Sequence, residues 1–124
     1  DRIMAAMQLP KGSPEQIDAR KSAIREATKG AILVPLRTLE LCAESMTLIR
    51  AMAEQGLKAS ASDAGVGALC ARTGAIAAYL NVRTNCNSLD DAAWKKDVLA
   101  KAEAWKAKAE EAERAVMALV LEKM

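Results

Sequence analysis

The chain has 124 residues, enough for one domain with a buried core and too few for two. Eighteen basic residues against sixteen acidic ones give a formal charge of +2, and the two signs are interspersed, so nothing favours nucleic acid or an anionic membrane as partner. Apolar residues make up 52% but aromatics only 2%, with no Phe and no His, which disfavours a thick β-core and excludes His-based triads, imidazole bases and His-containing zinc sites.

Ala fills much of the apolar share, and it has the strongest intrinsic preference for helix. The expectation is an all-α, up-and-down helical bundle of long helices in one domain, residues 1–124. Asp1–Leu9 places Ile3, Met4 and Met7 on one helical face, and Pro10-Lys11-Gly12 ends it. Ser13-Pro14-Glu15-Gln16 is a start signal, with Ser13 as cap, Pro14 in the first helical position and Gln16 closing a capping box.

The second helix is expected to run to about Glu54, carried by Ile17, Ile24 and Ala31 and then by Leu36, Leu39, Ala43, Met46, Arg50 and Ala53. Pro35 lacks the N–H that a helix interior needs, which predicts a kink there or a break near Lys29-Gly30. Gly56 is expected to stop the helix in the left-handed conformation.

After a loop over Leu57–Ala61, Ser62 is read as the cap of a third helix reaching about Asn81–Asn85. Val66, Leu69, Thr73, Ile76 and Leu80 mark one face, beside a stripe of small residues, Gly67, Ala71, Gly74 and Ala78. Each such Gly costs about 1 kcal/mol against Ala in a helix, so the stripe suits the close approach of another backbone or a ligand. Asn85-Cys86-Asn87-Ser88 is turn chemistry. The last helix is expected from about Asp90 to Lys123, capped by Asp90 or Ser88. Its steps of four and three through Val98, Ala102, Trp105, Ala109, Ala112, Val116 and Leu119 form a packing seam.

Few residues stand out chemically. Ser62-Asp63 at a helix start and Asn81 and Asn85 at its end read first as capping groups. A weaker signal is that they could hold the polar edge of a heterocycle, because a helix N-terminus offers free N–H groups and an amide both donates and accepts. Tyr79 and Trp105 suit core positions, and Trp94 an anchor for the preceding loop. Cys42, Cys70 and Cys86 have no metal-ligand spacing and read as small buried hydrophobes in a reducing cytoplasm. The Lys/Glu-rich stretch Lys101–Arg114 reads as solvated charge pairs. No apolar run reaches the ~18–20 residues of a membrane span.

In order, Met4-Ala5-Ala6-Met7-Gln8-Leu9-Pro10-Lys11, Val34-Pro35-Leu36, Ser62-Asp63-Ala64-Gly65-Val66 and Asn81-Val82-Arg83-Thr84-Asn85 ahead of a long last helix resemble the cyclodeaminase/cyclohydrolase family, over nearly the whole chain. The resemblance implies an all-helical homodimer that acts on tetrahydrofolate derivatives, with no metal and no bound cofactor. The implied reaction is hydrolysis of a methenyl bridge to formyltetrahydrofolate, or release of ammonia from formiminotetrahydrofolate. It places Ser62, Asp63, Asn81 and Asn85 against the folate, in one shared pocket. The family pattern also has a glycine-rich segment, helices and an acidic residue taken as catalytic before the equivalent of Met4, and Asp1 does not align with that residue. The chain is therefore expected to be the C-terminal part of such a domain, with its catalytic residue upstream and its site incomplete. A helical self-association module without enzymatic activity is the other reading of the long last helix and the small-residue face.

Overall fold

A computed structural model describes residues 1–124. It contains helices α1 (Arg2–Met7), α2 (Pro14–Gln55), α3 (Ala61–Cys86) and α4 (Ala92–Lys123), a 3-10 turn over Lys58–Ser60, and no strand. The all-α expectation holds. Helices α2, α3 and α4 all pack on one another, and short α1 lies against the start of α2.

Cross-helix contacts fix the directions. Ala31 of α2 meets Asn85 of α3, and Ile49 meets the Gly67 position, so these two helices are antiparallel. Tyr79 of α3 reaches Glu103 of α4, while Gly65 abuts Val120, again antiparallel. Lys29 pairs with Asp91 and Lys123 reaches the carbonyl of Glu54, so α2 and α4 run in the same direction. The result is an up-down-up array of three long helices.

Local chemistry explains most boundaries. The Ser13 hydroxyl accepts from Gln16 N–H at 3.2 Å, as a cap should, with Pro14 behind it. The Gln16 side chain does not close a capping box. Its Oε1 takes the Gly12 N–H instead, at 2.9 Å, which ties the loop to the helix one residue earlier.

Helix α2 is unbroken at Lys29-Gly30 and at Pro35. Proline removes the bond to the carbonyl one turn back, that of Ala31, and the Asn85 side-chain amide donates to that carbonyl from α3 at 3.2 Å. Tertiary contact therefore supplies the donor that local chemistry withholds. Gly56 ends the helix in extended conformation, φ −71° and ψ 170°, not left-handed. The glycine is required there by space, because a Cβ would collide with the Met52 carbonyl oxygen.

Two caps differ from the sequence reading. Helix α3 starts at Ala61 after Ser60, which makes no side-chain capping bond, so Ser62 lies inside the first turn. The 3-10 turn that leads straight into α3 shifts the start by two residues. Helix α4 is capped by Asp91, whose Oδ1 accepts from Trp94 N–H at 3.2 Å, and neither Asp90 nor Ser88 fills that place. Asp90 instead forms a two-bond ion pair with Arg25, which draws it out of the capping position.

The core is thin and rich in Ala. Ile32, Leu39, Met46, Val82, Val116 and Cys86 are its largest fully buried side chains, and half of the buried apolar residues are alanines. The α4 seam is borne out: Val98, Ala102, Ala109 and Val116 are buried, and Trp105, Ala112 and Leu119 pack beside them. On α3 the faces are the reverse of a simple hydropathy reading. Ala64, Gly65, Ala68, Ala75 and Ala78 are buried, whereas Val66, Leu69 and Leu80 are exposed. From Ala64 to Ala78, close packing against α2 and α4 favours small side chains and leaves large ones such as Val66 and Leu69 outward. No helix is long and apolar enough to cross a membrane.

Candidate functional site

The antiparallel α2–α3 pair builds a groove with a cleft at each end. One cleft, of roughly 450 Å³, is lined by Ile49, Met52, Gly56 and Leu57 from the end of α2 and by Ser60, Asp63, Ala64 and Gly67 from the start of α3. Its walls are mostly apolar, and its polar residues, Ser60 and Asp63, lie at the start of α3. Asp63 sits in that first turn, is exposed, and favours the positive helix end. The chain's ion pairs all lie elsewhere, which leaves its carboxylate free to meet a ligand.

The other cleft, of roughly 390 Å³, is lined by Ala31, Val34, Pro35 and Thr38 of α2 and by Gly74, Ala77, Ala78 and Asn81 of α3. Asn81 is exposed and lines this cleft beside the small residues Gly74, Ala77 and Ala78. One turn further on, half-buried Asn85 binds the Ala31 carbonyl. Gly74 marks the tightest helix approach, since a Cβ there would lie 3.0 Å from Cys42 Sγ.

Asp63 and Asn81 are eighteen residues apart on one helix, five full turns, so they share a face but stand roughly 27 Å apart. They do not meet in one pocket within a single chain. Asn81 and Asn85 stay together, as their four-residue spacing implies. Ser62 is exposed and lines neither cleft. The expectation of one pocket for all four residues fails because α3 is unbroken between its two polar ends.

A third polar cluster lies between α3 and α4 and was hidden in a sequence stretch that reads as surface charge. Tyr79 is nearly buried, its hydroxyl donates to Glu103, and it accepts from Arg83 at 3.2 Å. Lys106 also binds Glu103, and these bonds, Lys106 first and Tyr79 second, hold the Glu103 carboxyl below the usual range. Only a buried Tyr with a hydroxyl to satisfy could have signalled it in the sequence. The cluster is internally paired and serves packing. Burial pushes the Cys86 thiol up, away from the thiolate form, and Cys70 is exposed and Cys42 half-buried, contrary to the reading of all three cysteines as buried.

Residues 1–104 match the sequence profile of the formiminotransferase-cyclodeaminase family. Over 99 residues the chain is 41% identical to a methenyltetrahydrofolate cyclohydrolase of Methylorubrum extorquens, covering 80% of this chain and 48% of that protein. Over 98 residues it is 36% identical to the formimidoyltransferase-cyclodeaminase of Sus scrofa, covering 79% of this chain and 18% of that protein. The corresponding protein of Rattus norvegicus is 32% identical over 93 residues, 75% of this chain and 17% of that protein. The chain thus spans about half the length of the first relative and under a fifth of the other two.

Proposed function

The chain belongs to the formiminotransferase-cyclodeaminase family, and from that premise we propose that it serves folate one-carbon chemistry as part of a methenyltetrahydrofolate cyclohydrolase. The observation that carries this reading is the 41% identity to a protein of that name over four-fifths of the chain. A formiminotetrahydrofolate cyclodeaminase, a lyase activity, is the related alternative, favoured by the similarity to the two mammalian proteins.

Hydrolysis of a methenyl bridge needs a water delivered to the bridging carbon and protons moved among water, ring nitrogens and solvent. A carboxylate and an ordered water suffice for that. In this reading Asp63 binds the polar edge of the folate at the first turn of α3. Asn81 contributes an amide to a folate in the other cleft, and Asn85 fixes the helix pair behind it. Because the two clefts stand far apart in one chain, Asp63 and Asn81 serve one folate only if it is long enough to extend along the groove, or if a second copy brings the opposite cleft near. A homodimer, a cytoplasmic setting and an acidic catalytic residue outside these 124 residues complete the proposal.

Offering methenyl- and formimino-tetrahydrofolate side by side to the natural protein tests it. Loss of the methenyl compound without release of ammonia from the formimino one is the expected result. Failure to turn over either compound, with the protein folded and helical, would overturn the assignment.

A further inference from the structure

The two clefts differ in which helix supplies their polar groups. In the cleft beside Asp63, α2 contributes only Ile49, Met52 and its closing residues Gly56 and Leu57, and the polar side chains, Ser60 and Asp63, both come from the start of α3. In the cleft beside Asn81 each helix contributes one polar side chain, Thr38 from α2 and Asn81 from α3, and the rest of the lining is apolar or small. The register of the pair brings these two together. Ala31 meets Asn85 and Cys42 meets the Gly74 position, so Thr38 lies opposite Ala78, within one turn of Asn81.

Their hydrogen-bonding capacities are complementary. The Thr38 hydroxyl donates to the Val34 carbonyl at 3.2 Å, which uses its one proton and leaves its oxygen an acceptor. The exposed Asn81 amide bonds to nothing in the chain and keeps both its donor and its acceptor. An acceptor on one wall and a donor on the other suit a planar amide, which carries an N–H and a C=O on adjacent atoms. A helical Ser or Thr bonds to a carbonyl of the preceding turn wherever it stands. Ser45 does so on the same helix, to the Cys42 carbonyl at 2.7 Å, but it lines neither cleft and faces no free amide.

We propose that Thr38 is a ligand-binding residue of the Asn81 cleft, accepting the N–H of an amide group of the folate whose carbonyl accepts from the Asn81 side chain. The inference rests on the folate reading of the site and adds to it a contact from α2. A folate carries an amide in two places, the lactam of its ring and the benzoyl-glutamyl amide of its tail, and both offer the chemistry that this pair recognises.

Titration of the natural protein with formyltetrahydrofolate tests the contact. Thr38→Val keeps the shape and removes the acceptor, and it should weaken binding about tenfold by leaving a ligand N–H unpaired. Thr38→Ser keeps the oxygen and should bind within about twofold of the wild type, as should Ser45→Ala. In turnover Thr38→Val should raise KM and leave kcat nearly unchanged, since neither amide is the bond that reacts. Tetrahydropterin, the ring without the tail, and p-aminobenzoylglutamate, the tail without the ring, distinguish the two amides, because the fragment that is held should lose affinity for Thr38→Val. Melting curves of each variant keep lost binding apart from lost folding. The proposal is overturned if Thr38→Val binds formyltetrahydrofolate like the wild type, if Thr38→Ser loses as much as Thr38→Val, or if both fragments bind Thr38→Val as they bind the wild type. Folate turnover that Thr38→Val leaves untouched in both KM and kcat sinks this contact alone. A wild-type protein that neither binds nor turns over any folate sinks the proposed activity and the contact with it.

Discussion

Asn85 donates its side-chain amide to the backbone carbonyl of Ala31, 3.2 Å away across the α2–α3 contact. That carbonyl is the one Pro35 cannot serve, so a polar residue on one helix completes a backbone bond missing from its neighbour. The helix stays unbroken through the proline, and the wall of one candidate cleft is fixed by the same contact.

Removing the donor exposes this dependence. Asn85→Ala should destabilise the protein by about 1 kcal/mol, the net value of such a hydrogen bond. In a Pro35→Ala background the helix regains its own N–H, and the same substitution should cost less. A denaturant double-mutant cycle giving full additivity would contradict the pairing.

Two glycines in helix interiors should respond oppositely. Nothing lies within 4 Å of a Cβ placed at Gly30, so Gly30→Ala should stabilise by about 0.5–1 kcal/mol through helix propensity alone. At Gly74 the new Cβ would meet Cys42 Sγ at 3.0 Å, and the propensity gain should be offset by strain. Thermal melting of both variants gives the comparison, and equal stabilisation would mean that the helices are not this close.

Asp63 separates binding from stability. The residue is not the cap of α3, so Asp63→Asn should leave the melting temperature nearly unchanged while weakening folate binding by about tenfold, the loss of one charge-assisted bond. Ser13→Ala is the counterpart: its hydroxyl does cap α2, and it should cost about 0.5–2 kcal/mol with little effect on binding. Calorimetric titration beside melting curves distinguishes the two.

Acid should loosen the α2–α4 junction. The Lys29 ammonium, then the Trp94 N–H, hold the Asp91 carboxyl below its ordinary value, and Arg25 does the same for Asp90. A carboxyl whose pKa is lower folded than unfolded adds stability above the unfolded pKa, near 4, and loses it as pH falls through the folded value. Stability should therefore be insensitive to these groups at neutral pH and fall below about pH 4. Asp90→Asn with Asp91→Asn should flatten that fall, and an unchanged acid limb would show that the pairs do not form in solution.

The sequence by itself determined the helices. Ala content, the Ser13-Pro14 start and the unbroken three-four spacing of α4 are local signals, and short stretches elsewhere, such as Met4–Lys11 and Ser62–Val66, carry the family likeness that the match over residues 1–104 bears out. Only the tertiary structure decided which face of α3 turns inward, because a central helix buries whichever side lets its neighbours approach, and here the small side chains permit that better than the large ones. It also decided that Pro35 is tolerated, since the donor that satisfies Ala31 comes from a residue 54 positions away in the chain. The resemblance put Asp63 and Asn81 in one pocket, but their separation follows from the rise of an uninterrupted helix, and that continuity is set by packing along its whole length.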